Sequence, residues 1–406
     1  MASRCVQVIP SFSKINKEQL IYLDGSIQEI DKLDKKLELI SWSYARGMEP
    51  LCNTDYAKLL IGSQELKMCL PKTLFEQLEL LKTKIEIFIN SCRESKVNLS
   101  EFSFNDLIPK SILIDYLNVL NQMTQYVFEN YEKPGNYSVI KNGSIVLTEM
   151  GSKPLKICVP EQSFQDPNLK PYSTTLETMQ SKNFVSYNIF SSKTGRIYPT
   201  SNSFPINIKK ELRQFVKPQN DYFLELDYNA FDLRVFIGLM NKPQPEEDIH
   251  DFNVKHIWNN SIDRQEAKRK IFAWLYDQNN FSGTIEKFYD KTILLDKFYR
   301  HGIITNTYGM KLECDQFHAL NYLIQSTGSM IFLEQLFKIY TLIKTKYRYS
   351  FISLINQDSI LIDGSLMDNL DHEELRSVFS QTGSETMKVN LKKGPDWFHM
   401  QDLTDC

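Results

Sequence analysis

Two aspartates and one helical face are the residues whose types and spacing can do chemistry in this chain. Asp227 closes an alternating apolar run in LELDYNAFDLRVF, and Asp358 lies between two short β-prone runs in FISLINQDSILID. The first run reads as a strand that delivers a carboxylate at its end and then passes into helix-compatible sequence. The second reads as a hairpin with Asp358 at its turn. Between them, RQEAKRKIFAWLY carries Arg264, Lys268, Phe272 and Tyr276 at every fourth position. At about 100° per residue a four-residue step drifts only about 40°, so these side chains share one broad face of roughly 18 Å. That face is cationic at its start and aromatic at its end. A nucleoside triphosphate presents the same order, with phosphates for Arg264 and Lys268, then sugar and base for Phe272 and Tyr276. Carboxylates bridging two cations about 3.5–4 Å apart stabilise both the attacking and the leaving oxygen of a phosphoryl transfer, and Mg²⁺ is the hard, oxygen-preferring ion for that task. The pattern points to phosphoryl transfer from a nucleotide, provided the strands of Asp227 and Asp358 are neighbours in one sheet.

The elements that must position these groups can be read more coarsely. Residues 14 to about 132 read mostly helical, as in Ile112 to Tyr131, and the Lys133-Pro134-Gly135-Asn136 break is followed by β-prone pieces at Tyr137 to Leu147 and Lys156 to Pro160. Helical sequence resumes from Arg234 to about residue 300, ahead of the hairpin around Asp358. At 406 residues, 42% hydrophobic and 24% charged, the chain can bury a large core in two or three domains. The start MASRCVQVIPSFSK lacks a secretory apolar core, and no run approaches a membrane span, so an intracellular, cytoplasmic protein is expected. The seven cysteines, at 5, 52, 69, 92, 158, 314 and 406, form no CxxC or paired metal spacing, which argues against zinc and against a disulfide framework. The net charge of −3 does not advertise a nucleic-acid binder, yet from Arg264 to Lys311 nine Lys/Arg stand against five Asp/Glu, so a basic surface can coexist with acid elsewhere.

Taken in order, these stretches resemble the polymerase domain of the family A DNA polymerases, the bacterial polymerase I and phage replicative type. The likeness covers roughly residues 190 to 406. The family's first catalytic motif is similar to Asp227, Tyr228, Asn229, Asp232, Leu233 and Arg234, and its Arg-x3-Lys-x3-Phe-x3-Tyr helix to Arg264, Lys268, Phe272 and Tyr276. The His-Asp-Glu hairpin resembles Gln357, Asp358 and Ser359. Shorter echoes are Thr194-Gly195-Arg196, Asp248-Ile249-His250, Gly302 to Lys311, Asn321 with Gln325, and Gly394 to Met400.

The resemblance implies an α+β, right-hand polymerase fold with an antiparallel-sheet palm, helical fingers and a helical thumb. It implies an N-terminal helical region with the thumb at 1–135, palm at 136–233, fingers at 234–318 and the rest of the palm at 319–406. The implied activity is template-directed addition of dNTPs to a primer 3′ end. Asp227, Asp358 and the Tyr228 carbonyl would hold two Mg²⁺ ions, with Mn²⁺ a possible substitute. Arg264 and Lys268 would neutralise the phosphates, with Lys268 also a proton donor to pyrophosphate. Phe272 would pack on the sugar, Tyr276 near the template base, and Asp232 against the 2′ position. Thr194, Arg196, Arg234, Lys311, Asn321, Gln325 and Gln357 would contact primer-template DNA, fixing register without reading sequence. A helicase, clamp or single-strand-binding protein could assist, and no membrane is involved. No Asp-x-Glu exonuclease motif is evident in the first 190 residues, so a polymerase without intrinsic proofreading is expected, one whose compactness suits a virus or phage. Four departures stand out: Asp277 follows Tyr276 where the family has Gly, Gln357 replaces His, Ser359 replaces an acid, and Asp232 is one methylene shorter than the family's Glu. The competing readings are a single-subunit phage-type RNA polymerase and a catalytically silent DNA-binding subunit.

Overall fold

Short alternating runs near the N-terminus fold as strands, contrary to the helical reading of that region. In this computed structural model, residues 4–12, 19–33, 37–48, 53–277, 282–383 and 385–404 are described. Two compact units divide the chain, residues 1–148 and 149–406. The first unit opens with strands β1 (Arg4–Val8), β2 (Leu20–Leu23), β3 (Ser26–Glu29), β4 (Leu39–Ser41) and β5 (Thr54–Tyr56), ordered β3-β2-β1-β4-β5. The pairs β1–β2 and β2–β3 are antiparallel, whereas β1–β4 and β4–β5 are parallel. None of these strands exceeds five residues, too short for a period of two to stand out against 3.6. One local signal does specify them. Asp24 and Gly25 both adopt positive φ, 49° and 81°, between the paired Leu23 and Ser26, as a two-residue hairpin turn requires.

Helices follow at Lys72–Glu94 and Lys110–Asn130. Leu74, Leu78, Leu81, Ile85 and Ile89 form the buried stripe of the first, and Leu113, Leu117, Leu120 and Val127 that of the second, all within one apolar cluster. Pro71 and Pro109 stand at their N-caps, where a missing N–H costs nothing. Tyr137–Gly151 is a helix rather than the β-prone piece expected there. Its β-branched residues suggested strand, but Tyr137, Ile140, Leu147 and Met150 are buried at helical spacing, and that burial decides the outcome. Lys156–Ile157 is a short strand, as expected.

The second unit is built on an antiparallel sheet of order Phe351–Asn356, Ser359–Gly364, Tyr222–Tyr228, Val389–Gly394, Gln401–Asp402. The strand of Asp227 is central, and the hairpin of Asp358 pairs directly beside it. Leu224, Leu226 and Tyr228 point to one face, where Tyr228 stacks on Phe231 and Phe379 at 4.5 and 4.4 Å. Phe223 points to the other, into a cluster with Leu354, Leu361 and Trp397. Burying each such side chain contributes roughly 1.5–3 kcal/mol, so the alternation fixes which residues can reach solvent at the strand's end. The long helix Gln316–Lys346 passes the helix Phe231–Leu239 at Gly328, where an added Cβ would meet the Phe231 ring at 3.2 Å. A three-stranded sheet, Tyr299–Arg300, Ile303–Thr305 and Lys311–Glu313, interrupts the helical region. Cys5, Cys69, Cys92, Cys158 and Cys314 are free thiols, and Cys52 and Cys406 lie outside the described residues. No helix among the described residues is long and apolar enough to cross a membrane.

Gln7 ties the first sheet to its helix. Its buried amide donates to Asn121 Oδ1 and Thr124 Oγ1, each at 3.1 Å, and accepts from Trp42 N at 3.2 Å and Ser41 Oγ at 3.4 Å. Gln7→Leu keeps the volume but strands buried polar partners, so urea denaturation is expected to show a loss of ~2–4 kcal/mol. A loss below about 0.5 kcal/mol would mean that water replaces these bonds.

Candidate active site

Strand register brings the two aspartates together. Asp227 pairs with Ser359 across the sheet, and the backbone N–H of Tyr228 donates to the carbonyl of Asp358 at 3.5 Å, so Asp358 lies at the turn beside the end of the Asp227 strand. Gln357, in the left-handed region at φ 56°, makes the two-residue turn between Asn356 and Ser359. Both carboxylates line a cavity of about 520 Å³. Opposite them stands the helix Arg264–Tyr276, with the bounds the sequence suggests. It starts because the Asp263 side chain caps Glu266 N at 2.8 Å, and it buries Ala267, Ile271, Trp274 and Leu275. The inward stripe turns the offset series outward, so Arg264, Lys268 and Phe272 line the cavity. Phe272 and Tyr276 stack at 5.9 Å with planes 3° apart. The helix ends at Tyr276, and Asp277 follows it in an extended conformation.

Electrostatics single out the aspartate pair. Burial first, then the charge of Asp227, pushes the Asp358 carboxyl up to about 7. Burial and the neighbouring Glu225 also raise Asp227, against the pull of Lys392, Asn390 and Lys268. Other acids here are tied to cations. Asp232 accepts from Arg196 at 2.6 Å and from the Tyr276 hydroxyl. Burial, then the charge of Asp232, holds that hydroxyl protonated. Asp248 takes a two-pronged contact from Arg264, Nη2 to Oδ2 at 2.6 Å and Nε to Oδ1 at 3.1 Å, which with Asn229 overrides its burial and keeps it well below the usual carboxylate range. Glu225 pairs with Lys392 at 3.4 Å.

Other expected site residues fall into distinct places. Arg196, Tyr228, Asp232, Gln325 and Gln357 line the cavity. Thr194 donates to the lining residue Gln325 at 3.2 Å, whereas Asn321 donates to the carbonyl of Tyr276 at 3.4 Å, and neither Asn321 nor Tyr276 is among the lining residues. Lys311 is exposed on its strand and is not among the lining residues. Arg234, expected at DNA, requires a correction. It is fully buried and donates to the carbonyls of Asn229, Pro245 and Glu247 and to Asn229 Oδ1, so its guanidinium is committed inside the fold. Residues the sequence reading did not place in the site also line it: Asn229, Asn390 and His250. His250 is the last residue of Asp248-Ile249-His250, the one signal that could have marked it. Burial and the cations Arg264 and Lys268 lower its pKa to about 4, and its Nδ1 has no hydrogen-bond partner among the described residues.

The donor set fits a hard cation. No group of three or more His, Cys, Asp or Glu is gathered for a metal among the described residues. Mg²⁺ needs only one or two carboxylates when substrate phosphates complete its shell, and Asp227 and Asp358, adjacent, partly buried and in no ion pair among the described residues, supply them.

The backbone was compared with solved structures. It is similar to the POL domain of Pol1 from M. smegmatis, solved in complex with DNA primer-template and dNTP, with a TM-score of 0.65 over 98% of this chain and 96% of that chain. The two share a fold. Their sequences are 12% identical, so the likeness speaks for architecture rather than for individual residues. No protein-family model matches the sequence, and no curated protein matches it.

A pH dependence follows for the metal-free protein. The folded Asp358 carboxyl holds its proton more tightly than the unfolded one, so its contribution to stability is full below about pH 4 and lost as pH rises through about 7. Asp358→Asn is therefore expected to stabilise the metal-free protein by ~2–4 kcal/mol at about pH 8 and to change little near pH 4. Urea titrations at the two pH values check this, and added Mg²⁺ should stabilise the wild type more than the variant. Equal effects at both pH values would show that Asp358 ionises normally.

Proposed function

We propose that this chain is a template-directed DNA polymerase of the family A type, extending a primer with dNTPs. The observation that carries the reading is a single cavity with Asp227 and Asp358 on one wall and the Arg264–Lys268–Phe272 face on the other. The shared fold with a domain solved on primer-template and dNTP supports the same reading. Residues 136–233 and 319–406 would form the palm, 234–318 the fingers, and the helices within 1–135 the thumb.

Asp227, Asp358 and the Tyr228 carbonyl would hold two Mg²⁺ ions, which supply a more acidic primer 3′ hydroxyl and neutralise charge on the departing pyrophosphate. Lys268, which lines the cavity, would neutralise the phosphates and donate a proton to pyrophosphate. Arg264 shares that work with the amino group its Asp248 contact leaves over, and Asp248 fixes its direction. The Phe272 ring packs on the sugar. Asp232, held from two sides by Arg196 and Tyr276, makes a rigid wedge at the 2′ position, which favours deoxyribonucleotides despite its short side chain. Thr194, Arg196, Asn321, Gln325 and Gln357 serve the primer-template, with Lys311 an outlying phosphate contact, whereas Arg234 serves through the elements it braces.

The test is extension of a labelled primer on a DNA template with Mg²⁺, with dNTPs and rNTPs in separate reactions. Wild type should extend with dNTPs, and Asp358→Ala should lose about 10³-fold or more in rate, ~4 kcal/mol of transition-state stabilisation. Asp232→Ala should gain rNTP use while retaining dNTP extension. Tight primer-template binding without extension by any nucleotide or divalent metal would overturn the proposal in favour of a silent DNA-binding subunit.

A further inference from the structure

A helix leaves its last carbonyls without partners of its own, and the end of Arg264–Tyr276 is closed by side chains from later elements. Asp277 is extended, so the chain departs without the left-handed residue that closes many helix ends. Donors arrive from two other helices instead. Asn321 donates to the Tyr276 carbonyl at 3.4 Å, and the ammonium of Lys291 donates to the carbonyl of Trp274 and, at 3.2 Å, to that of Asp277. The two carbonyls that Lys291 holds lie on either side of Tyr276 in the chain.

Lys291 is the first residue of the helix Lys291–Phe298, whose start Asp290 fixes by accepting from Thr292 N at 2.8 Å. A cation there opposes the dipole of its own helix, whereas the carbonyl end of Arg264–Tyr276 favours it, so the contact across to that end accounts for its position. The ammonium lies 4.5 Å over the ring of the fully buried Trp274, which Phe236 and Tyr289 contact at 5.6 and 6.0 Å. Burial lowers the Lys291 pKa against the charges of Glu286 and Asp277. Two of its three donors are engaged, and it does not line the catalytic cavity, so it is not placed as a phosphate ligand.

The residue so bracketed is Tyr276, whose hydroxyl donates to Asp232, and Arg196 holds Asp232 from the other side at 2.6 Å. We propose that Lys291 is a positioning residue for sugar discrimination: by pinning the backbone on both sides of Tyr276, it aims the hydroxyl that steadies Asp232 at the 2′ position. The inference rests on the polymerase reading and extends its specificity to a side chain outside the cavity.

The experiment measures kcat/KM for a dNTP and the matching rNTP in single-nucleotide primer extension by the full chain. Lys291→Met keeps a stem over Trp274 but removes the ammonium, and it should lower the dNTP-to-rNTP ratio about tenfold. Lys291→Arg, which keeps a cation with donors, should restore most of the ratio. In a Tyr276→Phe background, which lacks the hydroxyl, Lys291→Met should change the ratio no further. A general loss of folding would instead lower use of both sugars by the same factor. Hydrogen exchange on the nucleotide-free protein reads the cap without catalysis: amides of Ala273 to Asp277 should exchange about tenfold faster in Lys291→Met, and those of the helix Gln316–Lys346 at the wild-type rate. If wild type extends no primer, the polymerase reading fails and takes the specificity role with it, whereas the exchange result still shows whether Lys291 holds the helix end. An unchanged ratio, a further loss in the Tyr276→Phe background, or faster exchange throughout the second unit would each overturn the proposal.

Discussion

Two carboxylates side by side where water is scarce set the terms for the rest of the second unit. Unit charges about 4 Å apart at an effective dielectric of about 20 repel by about 4 kcal/mol, more than an exposed ion pair returns. Neighbouring lysines therefore cannot offset the arrangement alone, and the pair must share a proton or meet a cation. Burial first, and then the charge of Asp227, raises the pKa of Asp358 accordingly. The surrounding acids do not share that requirement, since Asp232, Asp248 and Glu225 each have an Arg or Lys partner. Among the acids that line or adjoin the cavity, Asp227 and Asp358 are thus the two that make no ion pair among the described residues.

Holding the pair in place falls to the sheet. The Asp227 strand is central and paired on both edges, so its register cannot slip by one residue without turning Leu224, Leu226 and Tyr228 to the opposite face of the sheet. Asn390, on the strand opposite the hairpin, donates to Asp227 Oδ2 at 3.5 Å, and Lys392 pairs with Glu225 from the next same-face position. One strand therefore carries the acids while its neighbour carries the groups that moderate them. Such precision is easier to build on paired strands than on loops.

Local periodicity explains what the sequence disclosed. The strand into Asp227, the hairpin around Asp358 and the helix of Arg264 to Tyr276 are each specified by residues within a dozen positions, and each has the expected type. The first sheet was hidden because its strands are short and two of its pairings are parallel, joining segments that leave no mutual trace in sequence. Only the Asp24-Gly25 turn carried a local signal. The Tyr137 helix was misread because β-branched side chains masked a buried helical stripe. In the site, chemistry-bearing side chains were legible by type and spacing, but their depth was not. Arg234 has the composition of a phosphate ligand, and only packing shows that its donors are already engaged.

The buried Arg234 also explains how the two walls of the cavity keep a common frame. Its guanidinium grips the Asn229 carbonyl and side-chain oxygen just past the Asp227 strand, together with the Pro245 and Glu247 carbonyls that lead into the next helix. Asn229 in turn donates to Asp248 Oδ2 at 2.8 Å, and Asp248 both caps the helix Ile249–Trp258 and clasps Arg264. An unbroken chain of hydrogen bonds, Arg234 to Asn229 to Asp248 to Arg264, thus runs from the end of the aspartate strand to the first cation of the opposite helix. Burial and the charge of Asp248 pull the Arg234 pKa in opposite directions, and it settles at about 10, so the guanidinium stays charged at neutral pH. Such a charge is tolerated only where its acceptors are fixed in number and direction. That requirement makes Arg234 a brace, and it links the position of Arg264 to the same strand end that delivers Asp227.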